Sequence, residues 1–317
     1  MLKPLWLVLL SIVLAGEGAA QGDLLFHLNA FMSSLNREGR DKTLFAFDHP
    51  ERLTWARHPS PRPGFALKDM SASQRQIVEA MLKSVLSEKG FASAKAIMSD
   101  QDVLAEHEEG LGAGYFWLAI YGEPGSKRWA WRLGGHHLSL HLTYIDNKLI
   151  SCTPAFFGAQ QTLPAGDPQE AGYKLLAARR HLPRELANSL DEEQAQRAVV
   201  AAQTSSSLIM SERKKLALES PIGLPASEMA ENQRALIFKL IEEYANVLNA
   251  AIAQAQFRNA ELEKIYFVWA ENRSRQSEEN YYRIHGPTFL IEYSNSGSHM
   301  HSIWRDINDF GAPVAFE

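Results

Sequence analysis

The 317-residue chain carries one cysteine, Cys152, so it can form no intramolecular disulfide and must be held by a packed core. It lacks a phosphate-cradling glycine loop, a helix-borne HExxH, a nucleophile elbow and a CxxC pair, which removes the common P-loop, zincin, hydrolase and dithiol chemistries. It also lacks blocks of like charge. The 32 basic and 37 acidic residues are interspersed and give a net charge of −5, a distribution that offers nucleic acid no footing. No Ser/Gly-rich linker, internal repeat or low-complexity tract divides the sequence. The one long apolar run, Leu5 to Ala15, is too short to cross a bilayer comfortably as a helix.

That run follows Lys3 and precedes Gly18-Ala19-Ala20, the pattern of a secretory signal peptide with cleavage expected after Ala20. No twin arginine precedes it and no cysteine follows it, so neither folded export nor a lipoprotein anchor is expected. The expected mature protein is a single domain over 21–317, secreted or periplasmic, with no membrane attachment after cleavage. A chain of this size buries about three quarters of its unfolded surface. Cys152, inside the apolar stretch Leu149 to Phe157, is expected to be buried and inert.

Helical spacing of Leu24, Leu25, Leu28, Phe31, Met32 and Leu35 predicts a helix over 23–37 with Asp23 as its N-cap. A short strand around Leu53-Thr54-Trp55 leads to a Pro-rich turn, Pro59 to Gly64. Ser71 and Gln74 then form a capping box ahead of Ile77, Val78, Met81, Leu82 and Val85. Gly90 is expected to close that helix, with another from about Ala92 to Glu109. Four short aromatic and β-branched runs follow, at 115–121, 127–133, 136–144 and 148–152. The stretch from Asp167 to Met210 has helical periodicity, and the longest helix is expected from Ile237 to Ala255. A second strand group reads 265–270, 281–285, 288–293 and 301–305. The pattern predicts an α+β fold, with an antiparallel sheet built from both strand groups and helices packed on it.

Eleven histidines are present, and six fall in two short segments: His136, His137 and His141, then His285, His299 and His301. On a strand, His299 and His301 share a face with Cα atoms about 6.6 Å apart, which is ligand-pair spacing. Read as strand residues, His136 and His137 point to opposite faces, so at most one of them is expected to join that pair. Neutral imidazole suits zinc, copper and iron, which makes His136, His137, His285, His299 and His301 the candidate ligands of a divalent transition metal. Asp306, with Glu292 and Asp309, could complete or orient such a site. Arg305 could hold a carboxylate or phosphate in its planar fork. His27, His49, His58, His107 and His181 stand singly and read as ordinary structural histidines.

Large side chains with polar tips crowd the same segments: Trp117, Trp129, Trp131, Tyr281, Tyr282, Trp304 and Arg283. Such residues line small-ligand pockets as well as cores. Two functional readings follow. The first is a histidine-based metal-dependent enzyme or metal-binding protein acting on a small anionic ligand, with Arg305 and Asp306 as its catalytic candidates. The second is a metal-free module whose aromatics and Arg305 form a small-ligand pocket. A cofactor-free hydrolase with His137 as base and Asp306 as orienter is weakened because no nucleophile stands out.

Four strings occur in order along the chain: Ala119-Ile120-Tyr121-Gly122-Glu123-Pro124, Gly135-His136-His137-Leu138-Ser139, Tyr281-Tyr282-Arg283-Ile284-His285-Gly286-Pro287 and His299-Met300-His301-Ser302-Ile303-Trp304-Arg305-Asp306. Together they resemble the family called domain of unknown function 3500. The resemblance spans most of the mature chain and implies an exported protein of this size, with no established activity to carry over. Ser294, Ser298 and His141 depart from its pattern, where an acidic residue, an asparagine and an asparagine are expected.

Overall fold

Ser71 accepts from the backbone N–H of Gln74, and the Gln74 amide oxygen accepts in return from the N–H of Ser71. This reciprocal cap starts a helix whose buried positions are Val78, Met81, Leu82 and Val85, all on one face at helical spacing. Far along the chain one half of this device recurs, Ala230 having no side-chain oxygen to supply the other. Gln233 accepts from Ala230 at 2.8 Å, and Ile237, Leu240, Ile241 and Tyr244 take up the matching buried positions. The two segments align from Gly64-Phe65-Ala66 and Gly223-Leu224-Pro225 through Met70/Met229, Gln74/Gln233 and Arg75/Arg234. In each, the arginine donates to the carbonyl of the aligned methionine. Gly64 and Gly223 both have positive φ, and a Cβ at either would meet a backbone oxygen, of Leu118 at 2.9 Å or Phe267 at 2.3 Å.

These are two copies of one structural unit. In the computed structural model, residues 10–105, 110–160, 176–199, 221–250, 252–253, 264–271, 279–296, 299–306 and 309–311 are described. Among them are seven α-helices: α1 (Leu10–Ser34), α2 (Arg37–Thr43), α3 (Ala72–Val85), α4 (Glu88–Ala105), α5 (Ala178–Asn188), α6 (Glu192–Ala198) and α7 (Glu231–Ala245). The strands of the first half are β1 (Leu44–Phe45), β2 (Phe65–Ala66), β3 (Phe116–Tyr121), β4 (Arg128–Gly135), β5 (Leu138–Ile145), β6 (Lys148–Ser151) and β7 (Ala155–Gln160). Those of the second are β8 (Leu224–Pro225), β9 (Tyr266–Glu271), β10 (Asn280–His285), β11 (Phe289–Asn295) and β12 (His299–Asp306).

All twelve strands form one sheet, ordered β1-β3-β4-β5-β7-β12-β11-β10-β9-β8, with β2 beside β3 and β6 beside β5. The central strands β7 and β12 run antiparallel and join the halves. Arg132 opposite His141 in the first half corresponds to Arg283 opposite Glu292 in the second. Leu44 pairs in parallel with Ile120, and Val199 in parallel with Trp269, so even the short edge contact is duplicated. The absence of an internal repeat expected above is thus corrected. The repeat is carried by buried positions and turn geometry rather than by runs of identical residues.

The expected α+β class and the union of both strand groups in one sheet are present, but the sheet is mixed because β1 lies parallel to β3. Several boundaries move. α1 continues through Gly22 and Asp23 without a cap or break, so Asp23 lies inside the helix rather than at its N-cap. Gly90 does not end a helix but lies in the first turn of α4, where a Cβ would strike Val247 O at 1.9 Å. α7 stops at Ala245, and the buried Val247 and Leu248 belong to a turn that bridges to Leu86. The expected strand around Thr54 is instead a 3₁₀ turn, Pro50–Leu53, followed by extended chain. The helical expectations at 106–109, 167–175, 200–210, 251 and 254–255, the Ser298 position and residues 1–9 lie outside the described residues. Among the described residues no helix is long and apolar enough to cross a membrane.

Alternation along the strands gives the sheet two unlike faces. One packs Leu118, Trp131, Leu140, Phe157, Ile284 and Trp304 against Phe31, Met81 and Leu240 of the helices. The other carries Arg132, His141, Arg283, Glu292 and Arg305, all buried. In the first half this polar face is covered by the chain over 47–63. Arg132 pins that strap by donating to Glu51 O and Pro63 O at 3.0 and 2.7 Å. Arg52 and Thr143 hold the turn Asp309–Gly311 by donating to Phe310 O at 2.7 and 2.8 Å. Cys152 is buried, and its burial pushes the thiol well above its ordinary pKa, so it stays protonated and inert as expected.

Candidate metal centre

His136 and His137 are the two residues of the tight turn between β4 and β5, not strand residues. That placement removes the expectation that they point to opposite faces. Their rings stack with centroids 3.7 Å apart. His137 has φ +62°, a left-handed conformation that costs a non-glycine residue about 1–2 kcal/mol, and its carbonyl is fixed by the N–H of Gly158 at 2.7 Å.

Two strands away in the sheet, β12 opens with His299 and His301 on the polar face, their ring centroids 4.4 Å apart. Between them and the turn runs β7, with Gly158 directly opposite His301. A Cβ on Gly158 would lie 2.9 Å from His137 Cδ2 and 3.0 Å from His301 Cδ2. Glycine therefore makes the hollow into which imidazoles converge from both sides.

His137 Nε2 and His299 Nε2 are 2.6 Å apart, and His136, His137 and His299 each offer a ring nitrogen within 4.8 Å of the others. His301 flanks this trio, 5.4 Å from His137 between ring centroids. His137 Nδ1 and His301 Nε2 are buried with no hydrogen-bond partner. Gln101 on α4 is buried; its amide nitrogen donates to Ile97 O at 3.1 Å, which turns its Oε1 toward His136 Nδ1 at 2.7 Å. An amide oxygen can only accept, so Nδ1 carries the proton and Nε2 of His136 presents its lone pair. This is how a second group orients a metal-binding imidazole.

Burial lowers the pKa of all four rings, and their mutual repulsion and nearby basic groups add to it. His136 falls to about 4, His301 to about 3, His137 well below its ordinary value, and His299 in the same direction. Near neutral pH the cluster is four neutral imidazoles, the form that binds zinc, copper or iron.

The family described as "Protein of unknown function (DUF3500)" matches residues 17–312. The chain belongs to the DUF3500 family. No curated protein and no solved structure matches it.

In this DUF3500 chain the remaining candidate residues lie apart from the cluster. His285 sits on β10, two strands beyond β12, with its Nδ1 3.5 Å from Arg283 Nη2. Arg305 shares the face of His301 but is four residues further along β12, about 13 Å at strand rise. Asp306 turns to the other side, where Ser151 donates to its Oδ2 at 2.8 Å and its own N–H donates to Thr153. Glu292 accepts from Tyr281 at 3.1 Å, and burial pushes its carboxyl up to about 7. Trp129, Trp131, Tyr282 and Trp304 belong to the apolar core beneath the helices. Trp117 is the exception: with Pro59, Ser60, Tyr115 and Gln101 it lines a narrow cleft that ends at His136.

Sequence reasoning missed Gln101, Gly158 and the basic strap residues Arg57, His58 and Arg62. The strap carried a usable signal in Arg57-His58-Pro59-Ser60-Pro61-Arg62-Pro63, where prolines stiffen a run of three basic side chains. Gln101 and Gly158 carried none, since each acts only through a neighbour distant in sequence.

Proposed function

We propose that this protein is an exported metal-binding protein or metal-dependent enzyme. His136, His137 and His299 are its ligands, His301 stands beside them, and the bound centre takes a small anionic ligand. The observation that carries this reading is the convergence of three neutral ring nitrogens, one of them oriented by a buried glutamine. A metal there would supply either a water of lowered pKa or a redox centre.

The short His137–His299 contact favours a second reading, in which one ring simply donates to the other and no metal is involved. Tetrahedral zinc with nitrogens at 2.0–2.1 Å separates its ligand atoms by about 3.3 Å, so metal entry requires this pair to open by about 0.7 Å. Titration of chelator-stripped protein with cobalt(II), followed by its visible bands and by elemental analysis, separates the two. One equivalent bound, with binding lost in His299→Ala and in His137→Ala, supports a metal centre. Substoichiometric metal indifferent to both substitutions refutes it.

A further inference from the structure

The charges around the cluster constrain what a bound metal can accept. The trio contains no carboxylate, so these three ligands neutralise none of a divalent ion's charge. Outside the cluster, the described groups whose fields act on these rings are Arg57 and His58 on His299 and His301, and Arg62 and His58 on His136. All are basic. Most metal sites reach near-neutrality through carboxylate or thiolate ligands, and here none is within reach among the described residues.

The strap that carries these residues is built against the cluster. Arg62 lies with Nη1 3.1 Å from where a Cβ would sit on Gly134, two residues before His136 on the same hairpin. It donates from Nη2 to His58 O at 2.7 Å, bracing its own loop. Arg132, rooted in β4, ties the far end of the strap through Pro63 O. Gly134 thus leaves room for the guanidinium, and Pro59 and Ser60 of the strap line the same narrow crevice as His136.

We infer that the open positions of the metal are completed by an oxyanion, a phosphate or carboxylate group, which Arg62 holds over the histidines, with Arg57 of the same strap adding positive charge. This rests on the metal reading above and assigns the anion-binding role to the strap, not to Arg305, which lies about 13 Å along β12. The guanidinium fork suits such oxygens, and charge-assisted hydrogen bonds to them are the strong kind.

The test uses the full chain loaded with cobalt(II), titrated separately with inorganic phosphate and with acetate. The expected result is a saturable shift of the visible bands with at least one of the two anions. In Arg57→Gln/Arg62→Gln the anion should bind at least tenfold more weakly, while cobalt affinity stays within about threefold. The anion that responds names the chemistry, phosphate or carboxylate. Cobalt bands that neither anion moves, or equal anion affinity in wild type and double variant, overturn the oxyanion assignment and leave the metal centre standing. Failure of cobalt to bind the wild type overturns both.

Discussion

Gly158→Ala tests the centre without touching a ligand. Gly158 is not among the residues with positive φ, so alanine fits its backbone and the effect comes from the added methyl alone. That methyl would sit 2.9 Å from His137 Cδ2 and 3.0 Å from both His301 Cδ2 and Met300 O. Carbon atoms at rest lie about 3.5–4.0 Å apart, so each ring must retreat by about half an ångström. Overpacking of this kind costs about 1–3 kcal/mol, and displacing a metal ligand from its supported position lowers affinity about 10–100-fold. Thermal melts of the stripped protein and cobalt(II) titration read the two effects separately. Adding His301→Ala to Gly158→Ala removes one of the two ring clashes, so stability should recover in part, a coupling expected only for residues in contact. A Gly158→Ala protein with unchanged melting temperature and unchanged metal affinity would refute the convergence of these rings over β7.

Three other outcomes follow from the same geometry. Gln101→Leu should leave the fold intact but weaken metal binding about 10–100-fold, because His136 loses the acceptor that fixes its tautomer; equal affinity would show that the Gln101 contact is incidental. His137→Asn should abolish metal binding yet cost the stripped protein no more than about 1 kcal/mol, since asparagine tolerates the left-handed backbone and relief of strain offsets lost packing; a loss of several kcal/mol in a denaturant melt would contradict this. Stability of the stripped protein should depend on acid. His136 titrates at about 4 when folded against about 6.5 unfolded, so its contribution is complete above pH 6.5 and is lost as pH falls toward 4. Between pH 7.5 and 5.0 this amounts to about 2 kcal/mol, and His136→Gln should remove that share of the slope while the other lowered rings keep theirs.

Both strand groups and the apolar faces of α1, α3 and α7 were legible, because alternation and helical spacing are local properties of the chain. The shared face of His299 and His301 was legible for the same reason. β7 was not: Ala155-Phe156-Phe157-Gly158-Ala159-Gln160 has no alternation, because its positions on the polar face are taken by Phe156, packed on Trp55, and by Gly158, which makes room for the rings. The turn at His136-His137 was misread as strand because neither residue is a usual turn former; Gly134 and Gly135, which look like the turn, lie within β4. Gly90 looked like a helix stop because close backbone approach and helix termination leave the same residue in the sequence. The duplication escaped because Val78/Ile237 or Val85/Tyr244 preserve burial rather than identity.

The lone cysteine leaves a chain with no covalent tie between its halves. His137 comes from a hairpin of the first structural copy and His299 from the last strand of the second, so an ion shared by them would close a loop of roughly 160 residues, for which the chain-entropy treatment of cross-links gives a stabilisation of about 5 kcal/mol. In that role the metal is a reversible staple, set by metal supply and acidity where a disulfide would be set by redox potential. Metal loading should then raise the melting temperature of the whole protein, and chelation should lower it again.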